Sequence, residues 1–234
     1  VPSTKWKKEK LERPWYLGET IITGIGQGYI QTTNLQLCLM IAQLANGGYK
    51  IKPNIVLDDN ISYEAIRSIF KSDLEKYELS LNPKALIESN QSILKEQNID
   101  LYKPMYKNPE NVKFVLEAMF ASTNELYGTS YNSRLEGKKY QFAGKTGTSQ
   151  VRRITEAERE LDLDISQIEY KKRDHALYVA FAPYKDPRYS ISVLIEHGGS
   201  GSKVAAPIAS QLIKKIIDRH DIRELKRIRS NNLA

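Results

Sequence analysis

The chain has 234 residues, of which 41% are hydrophobic and 27% charged; this suits one large globular domain and excludes a disordered or fibrous chain. Its formal charge of +7 comes from lysines scattered along the chain rather than gathered in one stripe, so it argues for a solvated basic surface and against a nucleic-acid site. No apolar run is long enough to span a membrane, and one cysteine, Cys38, excludes an internal disulfide.

The opening, VPSTKWKKEKLERPWYLGE, is polar and basic and reads as the middle of a loop. Thr32 or Thr33 then caps a helix through NLQLCLMIAQLA, stopped by Asn46-Gly47-Gly48. Leu35, Leu37, Leu39, Met40, Ile41 and Leu44 leave this helix little polar face, which predicts burial nearly all round, with Cys38 buried and inert. Residues 59–107 read as a helical insertion with two polar amphipathic patterns. Pro109 opens another helix, ENVKFVLEAMFAST, with an apolar stripe of Val112, Val115, Leu116 and Met119.

A strand is expected from Tyr140 to Val151, followed by a charged helical excursion at about 152–173. Two further strands come from HALYVAFAP, where Leu177, Val179 and Phe181 alternate with smaller residues, and from RYSISVLIE, where Ile191, Val193 and Ile195 alternate with serines. Tyr184 to Arg188 joins them as a hairpin turn. A last helix buries Ala205, Ile208, Ala209, Leu212, Ile213 and Ile216. Helices, three hairpin-linked strands and a closing helix make an α+β pattern with an antiparallel sheet.

The stretch FAGKTGTSQV, residues 142–151, carries the chemistry and admits two readings. A phosphate-binding loop ending in Gly144-Lys145-Thr146 needs a glycine where Lys139 stands and a helix where Gly147, Thr148 and Ser149 follow. Neither requirement is met. The other reading is an extended strand in which Lys145 puts its ammonium into a cleft and Gly147 leaves that cleft open.

GETIITGIGQGYIQTTNLQL, FAGKTGTSQV, DHALYVAFAPYKDPRYSISVLIEHGG and the closing helix stand in the order found in penicillin-binding transpeptidases, and the chain most resembles class B members of the elongation type. The resemblance covers most of the chain outside the insertion. It implies the transpeptidase/serine β-lactamase-like fold, with three strands of a parent sheet of five. It also implies a peptidoglycan D,D-transpeptidase that cross-links stem peptides by serine acyl transfer and is acylated by β-lactams. Lys145 would belong to the third motif, Lys-Thr-Gly. It would support proton transfer and set a positive field, while the hydroxyls of Thr146 and Thr148 bind the substrate carboxylate. Gly147 would keep the wall open, and the Thr148 N–H would be half of an oxyanion hole. No cofactor is implied, and His175 and His220 lack cysteines at zinc spacing. A structural place is expected for His197, since this chemistry needs no histidine. No role is assigned to Gln27 or Tyr29.

The family's first two motifs, Ser-x-x-Lys and Ser-x-Asn/Asp, have only text matches here. These are Ser68-Ile-Phe-Lys71, Ser92-Ile-Leu-Lys95, Ser200-Gly-Ser-Lys203, Ser122-Thr-Asn124 and Ser230-Asn-Asn232. All five fall after the Gly-Ile-Gly-Gln-Gly block, whereas the family's nucleophile precedes it. The expectation is therefore a C-terminal part of a transpeptidase domain, inactive alone, whose parent adds the nucleophile and an N-terminal anchor in the inner membrane. Its partners would be peptidoglycan stem peptides, β-lactams and an elongation-complex glycosyltransferase, acting at the periplasmic face. The unpaired edge of the strand from Tyr189 to Glu196 would invite self-association. A non-catalytic module with the same shell, and a β-lactamase or carboxypeptidase of the same superfamily, are the alternatives.

Overall fold

The computed structural model describes residues 2–48, 51, 53, 106–152 and 164–231. Most of the expected insertion, the charged stretch 153–163 and the serines Ser68 and Ser92 lie outside the described residues. The chain divides into two units, Val1–Gln36 and Leu37–Ala234.

In the first unit the opening is helical, not a loop. Helix α1 (Thr4–Leu11) starts at Ser3, whose side chain accepts from the Trp6 N–H, and stops at Glu12 in the left-handed region. Its Lys and Glu residues are good helix formers, so a polar composition did not mean irregular backbone. Helix α2 (Leu17–Gly24) follows, with the Tyr16 N–H donating to Glu19 Oε2 at 2.8 Å. The two helices are tied by Lys7, only 2% exposed, whose ammonium donates to Glu19 Oε1 and lies 4.8 Å from the Tyr16 ring centre. Such burial of a lysine is tolerated because the charge is paired and capped by aromatic faces. Tyr29 has a place here too: its ring packs 5.5 Å from that of Trp6. The glycine block turns the chain back. Gly28 has φ +78°, and a Cβ there would press on Ile22 Cγ2 at 3.2 Å.

Helix α3 (Asn34–Ala45) begins at Thr33, whose Oγ1 accepts from the Gln36 N–H while Gln36 Oε1 accepts from the Thr33 N–H. It is not buried all round. Ile41 is buried, but Leu35 is 70% exposed and Met40 43%. Ile41 shares a buried cluster with Val112, Leu116, Met119, Ala143 and Phe181, so one face of the helix is covered. Cys38 is correspondingly half-buried, with its Sγ 3.2 Å from Ser190 Oγ.

In the second unit, helix α4 (Pro109–Asn124) is capped by Asn108 and buries Val112, Leu116, Met119 and Thr123. Val115 falls off that stripe and is 39% exposed. The sheet runs β1 (Ala143–Ser149), β2 (His175–Ala182), β3 (Tyr189–Ile195), antiparallel throughout, in that spatial order. β1 starts later than expected because Lys138–Tyr140 forms a 3₁₀ turn. Lys139 and Tyr140 are drawn off the sheet to Asp221 and Asp218 on the closing helix. Of the charged excursion, the described part holds two short 3₁₀ turns, Ile165–Gln167 and Tyr170–Lys172.

Helix α5 (Ala206–Asn231) follows a π-type turn, Gly201–Ala205. With Ala205 of that turn it covers one sheet face, burying Ala206, Ala209, Ile213 and Ile217 among Phe142, Ala176, Tyr178, Ala180, Ala182 and Val193. Alanines on both sides let helix and sheet approach closely. The buried face is rotated from the expected one: Ile208 and Leu212 are 38% and 41% exposed. The period of four set by Ala205, Ala209, Ile213 and Ile217 governs the contact instead. Ala143 and Phe181 turn to the opposite sheet face, toward α3 and α4.

Candidate active site

β1 carries Lys145, Thr146, Gly147 and Thr148 on one edge of the sheet. They pair with Val179, Tyr178, Leu177 and Ala176 of β2. The stretch is a strand within an antiparallel ladder, which removes the phosphate-loop reading, since that needs a loop followed by a helix.

The direction of the strand's N–H groups follows from one bond. Gly144 N–H donates to Thr123 Oγ1 at 3.1 Å, a side chain outside the sheet. In an antiparallel pair successive residues direct their backbone groups to alternate edges. Thr146 and Thr148 therefore also turn their N–H groups away from β2, while Lys145 and Gly147 turn theirs toward it. The Lys145 ammonium donates to Thr146 O at 2.9 Å and to Thr146 Oγ1 at 3.3 Å, which places its charge along this edge, with which no further strand pairs among the described residues. Lys145 and Thr148 are exposed; Thr146 and Gly147 are half-buried.

Gly147 sits in a tight place. A Cβ there would lie 3.3 Å from Leu177 Cβ. Across its backbone runs Gly201, where a Cβ would come within 2.7 Å of Gly147 O and 2.6 Å of Leu177 O. The chain between β3 and α5 thus lies directly on the β1–β2 ladder, and the glycines are what allow that approach.

Behind the edge lies a buried hydroxyl cluster. The Tyr178 hydroxyl is 3.1 Å from both Thr123 Oγ1 and Ser130 Oγ, and Ser130 Oγ donates to Ser122 O at 3.0 Å. Burial pushes the Tyr178 phenol above its ordinary value, while its bonds to Ser130 and Thr123 act the other way. The cluster pins the end of α4 and the turn after it to β1. Asn124 reinforces it, donating to Phe142 O at 2.9 Å. Thr129, Ser130 and Tyr178 did not stand out in the sequence, and Thr123 did so only as the middle residue of Ser122-Thr-Asn124. The available signal was Gly144 set diagonally across the ladder from Tyr178, the one large side chain among alanines on that face of β2.

This edge belongs to a sequence whose residues 4–214 match the profile of the penicillin-binding protein transpeptidase domain. The chain belongs to that family. Peptidoglycan D,D-transpeptidase MrdA of Salmonella typhimurium (strain SL1344) is 30% identical over 218 residues, 93% of this chain and 30% of the relative. The penicillin-binding protein PBP2 of Helicobacter pylori, solved in complex with MreC, superimposes with a TM-score of 0.64 at 25% identity, covering 93% of this chain and 30% of that one. PBP2 of Pseudomonas aeruginosa, solved in complex with WCK 5153, gives 0.60 at 29% identity, covering 92% and 37%. The chain thus spans about a third of the length of the relatives it matches. The α+β transpeptidase fold is that of the family.

The text matches to the other family motifs have structural employment where they are described. Ser200 Oγ accepts from the Lys203 N–H at the start of the π-type turn. Ser122 lies at the end of α4, with its Oγ 3.1 Å from Thr129 Oγ1. Thr123 is in the buried cluster, and the backbone of Ser230 lies in the last turn of α5. His197 is a turn residue at φ +55°; its N–H donates to His175 Nδ1, and its own Nδ1 is 3.0 Å from Arg173 O. These bonds tie the turn after β3, where His197 stands, to His175 at the start of β2 and to Arg173 before it.

Proposed function

We propose that the protein carrying this chain is a peptidoglycan D,D-transpeptidase of the elongation type, and that the chain supplies one wall of its active site. The observation that carries the reading is the open edge of β1. The ammonium of Lys145, the hydroxyls of Thr146 and Thr148 and the outward N–H of Thr148 share it within four residues.

A stem peptide ending in D-alanyl-D-alanine presents a carboxylate and, one residue back, the amide to be cleaved. The carboxylate is held by the Thr146 and Thr148 hydroxyls in the field of Lys145. A serine from outside this chain attacks the amide carbonyl. The Thr148 N–H donates to the oxygen as it gains negative charge, and Lys145 helps return a proton to the departing amine. The terminal D-alanine leaves, and an acyl-ester remains. An amine of a neighbouring stem peptide then attacks that ester, forming the cross-link and freeing the serine. A β-lactam enters by the same first step, but its opened ring stays attached.

Gly147 keeps bulk off this wall. The reaction would take place at the periplasmic face of the inner membrane, beside an elongation glycosyltransferase. Among the described residues no helix is long and apolar enough to cross a membrane.

The test is labelling with a fluorescent penicillin, read as a covalent band on a denaturing gel. The full-length protein should label and the isolated chain should not. A labelled chain would place the nucleophile inside it. An unlabelled full-length protein would favour a non-catalytic shell.

A further inference from the structure

A row of polar side chains runs along the outside of the open edge. Lys145 Nζ donates to Thr146 Oγ1 at 3.3 Å, Thr146 Oγ1 lies 3.5 Å from Thr129 Oγ1, and Thr129 Oγ1 lies 3.1 Å from Ser122 Oγ. Thr129 comes from the turn between α4 and β1, not from the strand that holds the candidate motif. We propose that Thr129 is a positioning residue for the carboxylate-binding hydroxyl of Thr146; this rests on the transpeptidase reading above.

The argument is one of hydrogen-bond valence. A hydroxyl has one proton to give and two lone pairs to receive. Lys145 fills one lone pair of Thr146 Oγ1. When Thr129 donates into the other, the single Thr146 proton is left to point outward, toward an incoming carboxylate. Ser122 lies on the far side of Thr129 and accepts or donates as Thr129 requires, so the row adjusts without moving an atom heavier than hydrogen.

Thr129 is held in place for this. Its neighbours are anchored to the end of α4: Gly128 N–H donates to Glu125 O at 2.8 Å, and Ser130 N–H donates to Ser122 O at 3.0 Å. Gly128 also passes so close to the end of α4 that a Cβ there would meet Ala121 O at 2.5 Å. Ser130 and its buried partner Tyr178 fix the turn from below, while Thr129 itself stays exposed at the edge. The turn thus presents a hydroxyl at a fixed height over Thr146 rather than a mobile one.

The experiment compares acylation rates of the full-length protein by a fluorescent penicillin for the unmutated form, Thr129→Val, Thr129→Ser, Thr146→Val and the double valine variant. Thr129→Val is expected to slow acylation about fivefold, as fits one long, neutral hydrogen bond, with an unchanged unfolding temperature. Thr129→Ser should restore the rate, because the hydroxyl and not the methyl group is at work. The double variant should be no slower than Thr146→Val. A Thr129→Val rate equal to the unmutated one, an unrescued serine variant, or effects that multiply independently would overturn the proposal while leaving the transpeptidase reading intact. No labelling of the unmutated protein would overturn both.

Discussion

Tyr178 lies where a side chain on Gly144 would be: a Cβ at residue 144 would come within 2.7 Å of the Tyr178 ring at Cε1. The ring is fully buried and held by Thr123 and Ser130, so moving it aside breaks those bonds. Gly144→Ala is therefore expected to destabilise the chain by about 3 kcal/mol, from overpacking and from the hydroxyl bonds lost when the ring moves. Denaturant unfolding with a loss below about 1 kcal/mol would show that the ring can yield.

Removing the phenol oxygen is a milder change. Tyr178→Phe keeps the packing, and Thr123 and Ser130 retain the Gly144 N–H and Ser122 O as partners. A cost of about 1 kcal/mol is expected. The substitution should also change alkaline unfolding. Burial raises the Tyr178 phenol, so the folded chain keeps it neutral while the unfolded chain ionises it near pH ~10. Stability is intact below that pH and falls as pH rises from there through the folded value. Tyr178→Phe should flatten this part of the pH profile; an unchanged profile would remove Tyr178 as its source.

In the first unit, the Lys7 ammonium, followed by the Tyr16 N–H, holds the Glu19 carboxyl below its ordinary value. For a lowered carboxylate the sign is the reverse. Its contribution is complete above the unfolded value and is lost as pH falls through the folded one. Helix content of α1 and α2 should therefore fall with acid below about pH 4, and Glu19→Gln should remove that step. Because Lys7 is buried, Glu19→Ala alone should destabilise the unit more than the double change with Lys7→Met, which leaves no unpaired charge. Denaturation of the three variants in parallel settles the order.

Local chemistry made much of this fold legible. β2 and β3 followed from period-two alternation, the starts of α3 and α4 from Thr33 and Pro109, and the hairpin from Tyr184 to Arg188. Facing was less legible. Ile208 and Leu212 look as apolar as Ile213, and only the close packing of Ala205 and Ala209 on Ala176 and Ala180 selects the buried side of α5. Position 146 was visible through its motif, whereas Thr129 became part of the edge only through a turn closed by long-range bonds to Tyr178. Spacing cannot reveal a contact of that kind.

β3 has β2 on one side and no strand on the other among the described residues. Its Ile191, Val193 and Ile195 make it a template for a further strand. The isolated chain should form dimers at high concentration through that edge. Sedimentation equilibrium showing a clean monomer throughout would dismiss the edge as an association surface.

The proposed roles on β1 separate backbone from side-chain effects. Lys145→Ala removes the ammonium that sets the field at the edge, and should slow penicillin acylation of the full-length protein on the order of 10²-fold. Lys145→Arg should recover little, since a planar guanidinium cannot occupy the place of a compact ammonium folded onto Thr146. Thr148→Val removes only a hydroxyl. Its outward N–H remains, because that direction is set by the pairing with β2 and not by the side chain. The loss should accordingly be about tenfold, the size of one charge-assisted hydrogen bond to the carboxylate. A loss in Thr148→Val as large as in Lys145→Ala would mean that the Thr148 side chain does more than donate one hydrogen bond to the carboxylate. Rates unchanged in both would place the acylation chemistry away from this edge.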